Sequence, residues 1–176
     1  MRDRADRKPS AQYGIVLGEI NILVLTDDDA VLGVVLEPDD ACRRKYEDIP
    51  SRKNEPISAV CAFFESYALR RTAPLPPLDL SPFSANERRV YETLLKTKAG
   101  ETVTYGELAA RAGFPGAARF AGMCMRKNHF PVIIPCHRVL PASGGIGNYT
   151  PDPRIKKLLL DFESGSAGIT GGLFRR

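Results

Sequence analysis

Between Thr72 and Pro82 the chain carries four prolines, Pro74, Pro76, Pro77 and Pro82. Proline has no amide hydrogen and a fixed φ, so this stretch can be neither a helix interior nor a central strand and serves as a linker or a sheet edge. The chain is therefore divided into two halves that must each find a core. Its 176 residues, 43% of them hydrophobic, are enough for two small ones. The pattern predicts an α+β chain with a small β-rich lobe (sheet plus helix) over 1–78 and a mainly helical lobe over 79–176.

In the first half, residues 1–11 are charged and aperiodic and read as a loose arm. Two β-branched and aliphatic runs, 14–25 and 31–36, are split by Asp27-Asp28-Asp29, the pattern of a hairpin. Residues 57–69 place Val60, Phe63, Phe64 and Tyr67 on one side of a helix that can pack on that sheet.

In the second half, Ser84 and Glu87 have capping-box spacing, with Val90, Tyr91, Leu94 and Leu95 as the apolar stripe and Gly100 as the stop. A second box, Thr104 with Glu107, opens a short helix over 105–112. The turn Gly113-Phe-Pro-Gly116 follows, and then a helical stretch over 117–127. Two short helices about a tight turn form either a helix-turn-helix, here 104–127, or an ordinary helical hairpin. Val132 to Ile134 is expected to run extended into Pro135. A last helix over 154–162 precedes a Gly/Ser-rich tail expected to be loose.

No apolar run approaches the roughly 20 residues needed to cross a bilayer, and the charged start does not open like a secretory signal. An intracellular protein is expected, in cytoplasm or nucleus according to the organism. The four cysteines, Cys42, Cys61, Cys124 and Cys136, include no Cys-x-x-Cys pair, and His129 and His137 are the only histidines, so no metal site is expected. Charge is uneven: residues 96–157 hold ten Lys/Arg against three Asp/Glu, whereas residues 1–58 hold nine against twelve. A basic second half suits a polyanion, as it also suits a merely solvated face.

Cys136 is followed by His137 and Arg138, a cationic setting expected to favour the nucleophilic thiolate. The run Ile134-Pro-Cys-His-Arg-Val139 resembles the signature of the O6-alkylguanine-DNA alkyltransferases (methylated-DNA-protein-cysteine methyltransferases). Tyr105, Ala117-Ala-Arg119, Met125-Arg-Lys-Asn128, Gly147-Asn-Tyr149 and Glu163 stand at that family's spacing from the cysteine, so the likeness covers about residues 82–164. The first half matches only in general form. Some members bind zinc through N-terminal Cys and His, but Cys42 and Cys61 have no histidine nearby in sequence, and the metal is not carried over.

The resemblance implies direct reversal of DNA damage: an alkyl group leaves O6 of guanine, or O4 of thymine, for Cys136, irreversibly and once per molecule. Thiolate is the side chain best suited to attack a saturated carbon. The family's Glu-His-water-Cys chain maps onto Glu163, His137 and Cys136; Tyr105 is the proton donor to the leaving base, and Asn128 braces the cysteine loop. Val139, Tyr149, Thr150, Pro131 and Lys156 fall to the base pocket. Because the target atom is hidden in a duplex, the base must rotate out, and Arg119 takes the position that fills the gap. Ala117, Ala118 and Gly122, with small side chains, would let the helix enter the minor groove, with Tyr105 and Arg126 also at DNA. Pro151 replaces a glycine common in relatives, which implies a stiffer pocket loop. The expected protein is a monomer without cofactor or membrane contact, acting on double-stranded DNA. Its rivals are a non-catalytic alkyltransferase-like damage binder, which would lack the cysteine, and a helix-turn-helix regulator.

Overall fold

A computed structural model describes residues 7–166 and the backbone of 173–175. The described residues fall into two compact units, one of residues 7–82 with 173–175, the other of residues 83–166. Both are mixed in the α+β manner.

The first unit is built on an antiparallel sheet of β1 (Ala11–Leu17), β2 (Ile20–Thr26), β3 (Val31–Leu36) and β6 (Leu173–Arg175), in the order β3-β2-β1-β6. The aliphatic run over 14–25, expected as one strand, is two: Gly18, at φ 59, turns the chain so that Leu17 faces Ile20. Asp27 closes the next turn by accepting the amides of Asp29 and Ala30, both at 2.9 Å. Arg7 grips the same carboxylate at 2.6 and 2.7 Å, so the expected loose arm is anchored at Arg7 and becomes strand at Ala11, while residues 1–6 lie outside the described residues. After the short helix α1 (Asp40–Lys45), α2 (Glu55–Ala68) buries Ile57, Val60, Cys61 and Phe64. Its cap Asn54 accepts from the Ile57 amide and donates to Thr26 Oγ1 and the Asp27 carbonyl, fixing α2 on the sheet. In the proline stretch, Leu78 forms a parallel bridge to Val31, the edge role that proline permits.

The second unit opens with α3 (Ala85–Leu95), whose capping box between Ser84 and Glu87 is complete. The helix stops at Leu95, short of the expected stop at Gly100, which has a separate task described below. Val90, Tyr91 and Leu94 are buried, and the Tyr91 hydroxyl donates to the Cys124 carbonyl at 2.8 Å. A parallel pair, β4 (Val103–Thr104) with β5 (Val139–Leu140), lies beside α4 (Tyr105–Arg111), which is opened by the Thr104–Glu107 box. Gly113, at φ 84, leads into the turn before α5 (Ala118–Arg126), and α4 packs on α5. No side chain caps α5 at Ala117. The last helix, α6 (Pro153–Ser164), is capped by Asp152 and ends at Gly165. The expected loose tail contains β6, which pairs with β1, so 173–175 belong with the first unit and not with the lobe expected over 79–176. Backbone pairing overrides the tail's glycine-rich composition.

Glu87 accepts Lys127 Nζ at 2.8 Å on one oxygen and the Ser84 amide and hydroxyl, each at 2.8 Å, on the other. The bond from Lys127, then those from Ser84, hold its carboxyl at about 2 against an ordinary 4.5. The folded value lies below the unfolded one, so this stabilisation is complete above the ordinary value and fades as pH falls toward the folded one. Glu87→Gln should cost about 1–2 kcal/mol at neutral pH, trimmed because Lys127 is half-exposed. Urea unfolding should show the gap to the parent closing in acid, and a gap independent of pH would contradict the pairing.

Candidate active site

The site is assembled from the end of α5, the start of α4, the segment over 128–139 and α6. Asn128 follows α5; its Nδ2 donates to the Ile134 carbonyl at 2.9 Å and its Oδ1 accepts the Phe130 amide at 2.9 Å. Between them Val132 sits at φ 71, and Ile134 N returns to Phe130 O at 2.8 Å. The segment expected to be extended is thus a tight turn closed by one amide side chain. Beyond Pro135, residues 136–138 form a single 3-10 turn that leads into β5.

Cys136 is 9% exposed, with the Tyr149 hydroxyl 3.7 Å from Sγ. Burial pushes the thiol pKa up; hydrogen bonds from Asn128 and Tyr149 and the charge of Lys156 oppose this. The cationic setting expected from His137 and Arg138 is therefore corrected: both are bonded to Glu163, and Lys156 is the cation that favours the thiolate. Lys156 is itself 1% exposed, donates to the Val139 carbonyl at 2.7 Å, and stands 5.9 Å above the Tyr149 ring.

His137 is fully buried, its Nε2 2.9 Å from Glu163 Oε1. A carboxylate can only accept, so Nε2 carries the hydrogen and Nδ1 is left as the acceptor. Among the described residues, Nδ1 has no hydrogen-bond partner. Burial lowers the imidazole pKa, with the Glu163 hydrogen bond and charge opposing, so His137 rests neutral. For Glu163, burial alone would raise the carboxyl; hydrogen bonds from His137, Arg138 and the Gly100 amide reverse that and hold it far below the usual range. Gly100 stands at φ 81, and a Cβ there would lie 3.2 Å from the Glu163 carbonyl oxygen, so both the backbone angle and the close approach call for glycine.

Tyr105, the first residue of α4, lines a groove of about 700 Å³ with Ala118, Arg119, Gly122 and Arg126 of α5 and Pro141, Gly147 and Asn148 of the facing loop. Cys136 is not part of that lining, but Tyr105 connects the two: burial raises its phenol pKa, and the charge that Cys136 carries once ionised raises it further. Arg119 and Arg126 are exposed, Ala117 is the cap residue of α5, Pro131 is half-buried at the turn, and Thr150 is exposed before Pro151. Cys136, His137, Glu163, Asn128, Tyr149, Val139 and Lys156 thus meet around one buried sulfur, and Tyr105, Arg119, Gly122 and Arg126 meet at the groove. Arg138, Thr97 and Gly100 belong to the first cluster, although the sequence put none of them forward for this task. Arg138 reads there only as a neighbouring charge and Gly100 only as a helix stop.

Residues 85–165 match the family described as 6-O-methylguanine DNA methyltransferase, DNA binding domain. A methylated-DNA–protein-cysteine methyltransferase of Methanothermobacter thermautotrophicus is 33% identical over 149 residues, 82% of this chain and 80% of that protein. The protein of the same name from Cricetulus griseus is 41% identical over 121 residues, 66% of this chain but only 58% of its own length. The crystal structure of Mycobacterium tuberculosis OGT in complex with DNA superposes with a TM-score of 0.68 at 26% identity, covering 84% of this chain and 88% of that one. The chain belongs to the methylated-DNA–protein-cysteine methyltransferase family.

Proposed function

We propose that this protein repairs DNA by direct reversal, taking the alkyl group from O6 of guanine onto Cys136. The observation that carries the reading is the buried Cys136 sulfur, with its Tyr149 contact, beside a neutral His137 whose Nε2 is tied to an ionised Glu163 and whose Nδ1 remains able to accept. The thiol proton passes to Nδ1 through a water, and Glu163 balances the imidazolium. Sulfur attacks the alkyl carbon, a C–S bond forms, and the bond from carbon to O6 breaks with its electron pair going to guanine. The Tyr105 phenol supplies the proton that makes guanine a better leaving group. The substrate is double-stranded DNA approached through the minor groove by a monomer inside the cell, and the base rotates out past the groove lined by Tyr105 and Gly122 to reach Cys136. The relative seen with DNA supports that partner. Intact-protein and peptide mass spectrometry after incubation with O6-methylguanine DNA is the direct test: one methyl group per chain, on the peptide that contains Cys136, is expected. Continued turnover or a methyl elsewhere contradicts it.

Arg119, exposed at the first turn of α5 on the groove, fills the stack left by the rotated base. Arg119→Ala should slow transfer from duplex DNA by about tenfold or more, the scale of losing about 1–2 kcal/mol of compensation for unstacking. Reaction with a free-base analogue such as O6-benzylguanine should hardly change. Equal losses on both substrates would remove Arg119 from this role.

A further inference from the structure

Glu163 is bonded more heavily than the orientation of one imidazole requires. Its Oε1 takes His137 Nε2 at 2.9 Å and Arg138 Nη2 at 2.8 Å; its Oε2 takes Arg138 Nε at 2.8 Å and the Gly100 amide at 3.0 Å. The third arm of the guanidinium is also fixed, because Arg138 Nη1 donates to the Thr97 carbonyl at 2.6 Å and to its Oγ1 at 3.1 Å. The Arg138 side chain is 10% exposed and that of Glu163 1%. The fork-on-carboxylate geometry is one that only arginine provides.

We infer that Arg138 is a positioning residue that sets the basicity of His137 through the carboxylate they share, so that the resting pair is a Cys136 thiol and a neutral imidazole. The inference rests on the proposed use of His137 as the base. A buried carboxylate facing only a histidine draws a proton onto the ring and holds it as an ion pair. With an always-charged guanidinium on both oxygens, the carboxylate is already balanced and its pull on the ring is weaker. The charged groups that face His137 are Glu163 and Lys156 from α6 and Arg138 from its own turn. Glu101, paired with Arg111, faces Arg138 from the segment before β4. Arg138, Lys156 and Glu163 sum to one positive charge around a neutral His137, so His137 gains a proton most readily when that proton comes from Cys136 and leaves a compensating thiolate behind.

The test uses the full chain with labelled histidine, in which His137 has only His129 to be distinguished from. The His137 imidazole is titrated by NMR, and the rate at which iodoacetamide labels Cys136 is followed against pH. In Arg138→Met the His137 pKa should rise by about one unit or more. Labelling of Cys136 at mildly acidic pH should speed up by about tenfold, as a thiolate–imidazolium pair forms. Arg138→Lys, which restores a charge on Glu163, should bring both readings most of the way back, and Arg138→Gln, which keeps a hydrogen bond to Glu163 but no charge, should shift them in the same direction as Arg138→Met. An unmoved or lowered His137 pKa in folded Arg138→Met overturns the inference. If that variant does not fold, an unmoved pKa in Arg138→Gln does so. Neither reading involves DNA, so a parent protein that fails to take a methyl group from DNA defeats the proposed function while leaving the Arg138 result standing.

Discussion

Cys136→Ser should transfer no alkyl group at all, while its affinity for DNA stays within a few-fold of the parent. The groove residues that meet DNA in the proposed reading are separate from Cys136, so binding survives. A hydroxyl fills nearly the same space but ionises far too weakly to displace guanine from a saturated carbon. The other cysteines offer no substitute. Cys124 is fully buried, with its pKa pushed up to about 11 by burial and the charge of Glu87, and Cys61 is buried in the sheet-bearing unit. The half-exposed Cys42 is also pushed up, by burial and by Asp39. Single-turnover assays with labelled O6-methylguanine DNA, combined with binding measured on the same preparation, decide the matter; label on the serine variant would end the assignment of Cys136 as acceptor.

Glu163→Gln carries the second large effect, and the geometry makes it larger than an isosteric replacement suggests. Both carboxylate oxygens accept N–H groups, from His137 and Arg138 on one and from Arg138 and Gly100 on the other. An amide offers one acceptor and one donor, so whichever way the replacement side chain turns, its NH₂ faces donors. Breaking such a buried pair costs about 3–5 kcal/mol, and loss of the charge that balances an imidazolium should slow transfer on the order of 10³-fold or more. The pH sign follows from the depressed carboxyl: the parent's advantage in stability is complete above the ordinary glutamate pKa and shrinks as pH falls below it. Thermal unfolding at neutral and acid pH, with transfer rates taken well below the midpoint, separates the two losses. A glutamine variant that transfers at the parent's rate would remove Glu163 from the relay.

What could be read in the sequence was mostly local. The boxes at Ser84 and Thr104 specify α3 and α4 because donor and acceptor lie three residues apart, and the proline stretch forces a break whatever else the chain does. Family spacing collected Cys136, His137, Glu163, Asn128 and Tyr105, which the fold places in one cluster and its adjoining groove. The turn at Gly18 escaped because one glycine between aliphatic runs resembles a strand interior. Val132 escaped for a stronger reason: a β-branched residue at φ 71 goes against every local preference and is held there by Asn128, Phe130 and Ile134. The Arg138 clamp joins Thr97, Gly100 and Glu163 across 41 and 63 residues of sequence, and no local pattern reports such a meeting. For the thiol, adjacency in sequence is not proximity of charge: His137 is tied to Glu163, and Arg138 to Glu163 and Thr97.

The pairing of β6 with β1 bears on the order in which a ribosome delivers the parts. The helical unit is inserted between the third and fourth strands of the sheet, so β1 emerges early and, beyond the bridge from Gln12 to Ser51, the outer edge at Ile15 to Leu17 has no partner strand until residues 173–175 follow the whole of the intervening unit. During that interval the edge is open to strands of other nascent chains. A fusion or truncation that withholds β6 would make that transient state permanent, and its consequence would be seen as association between copies rather than as damage to the cysteine site.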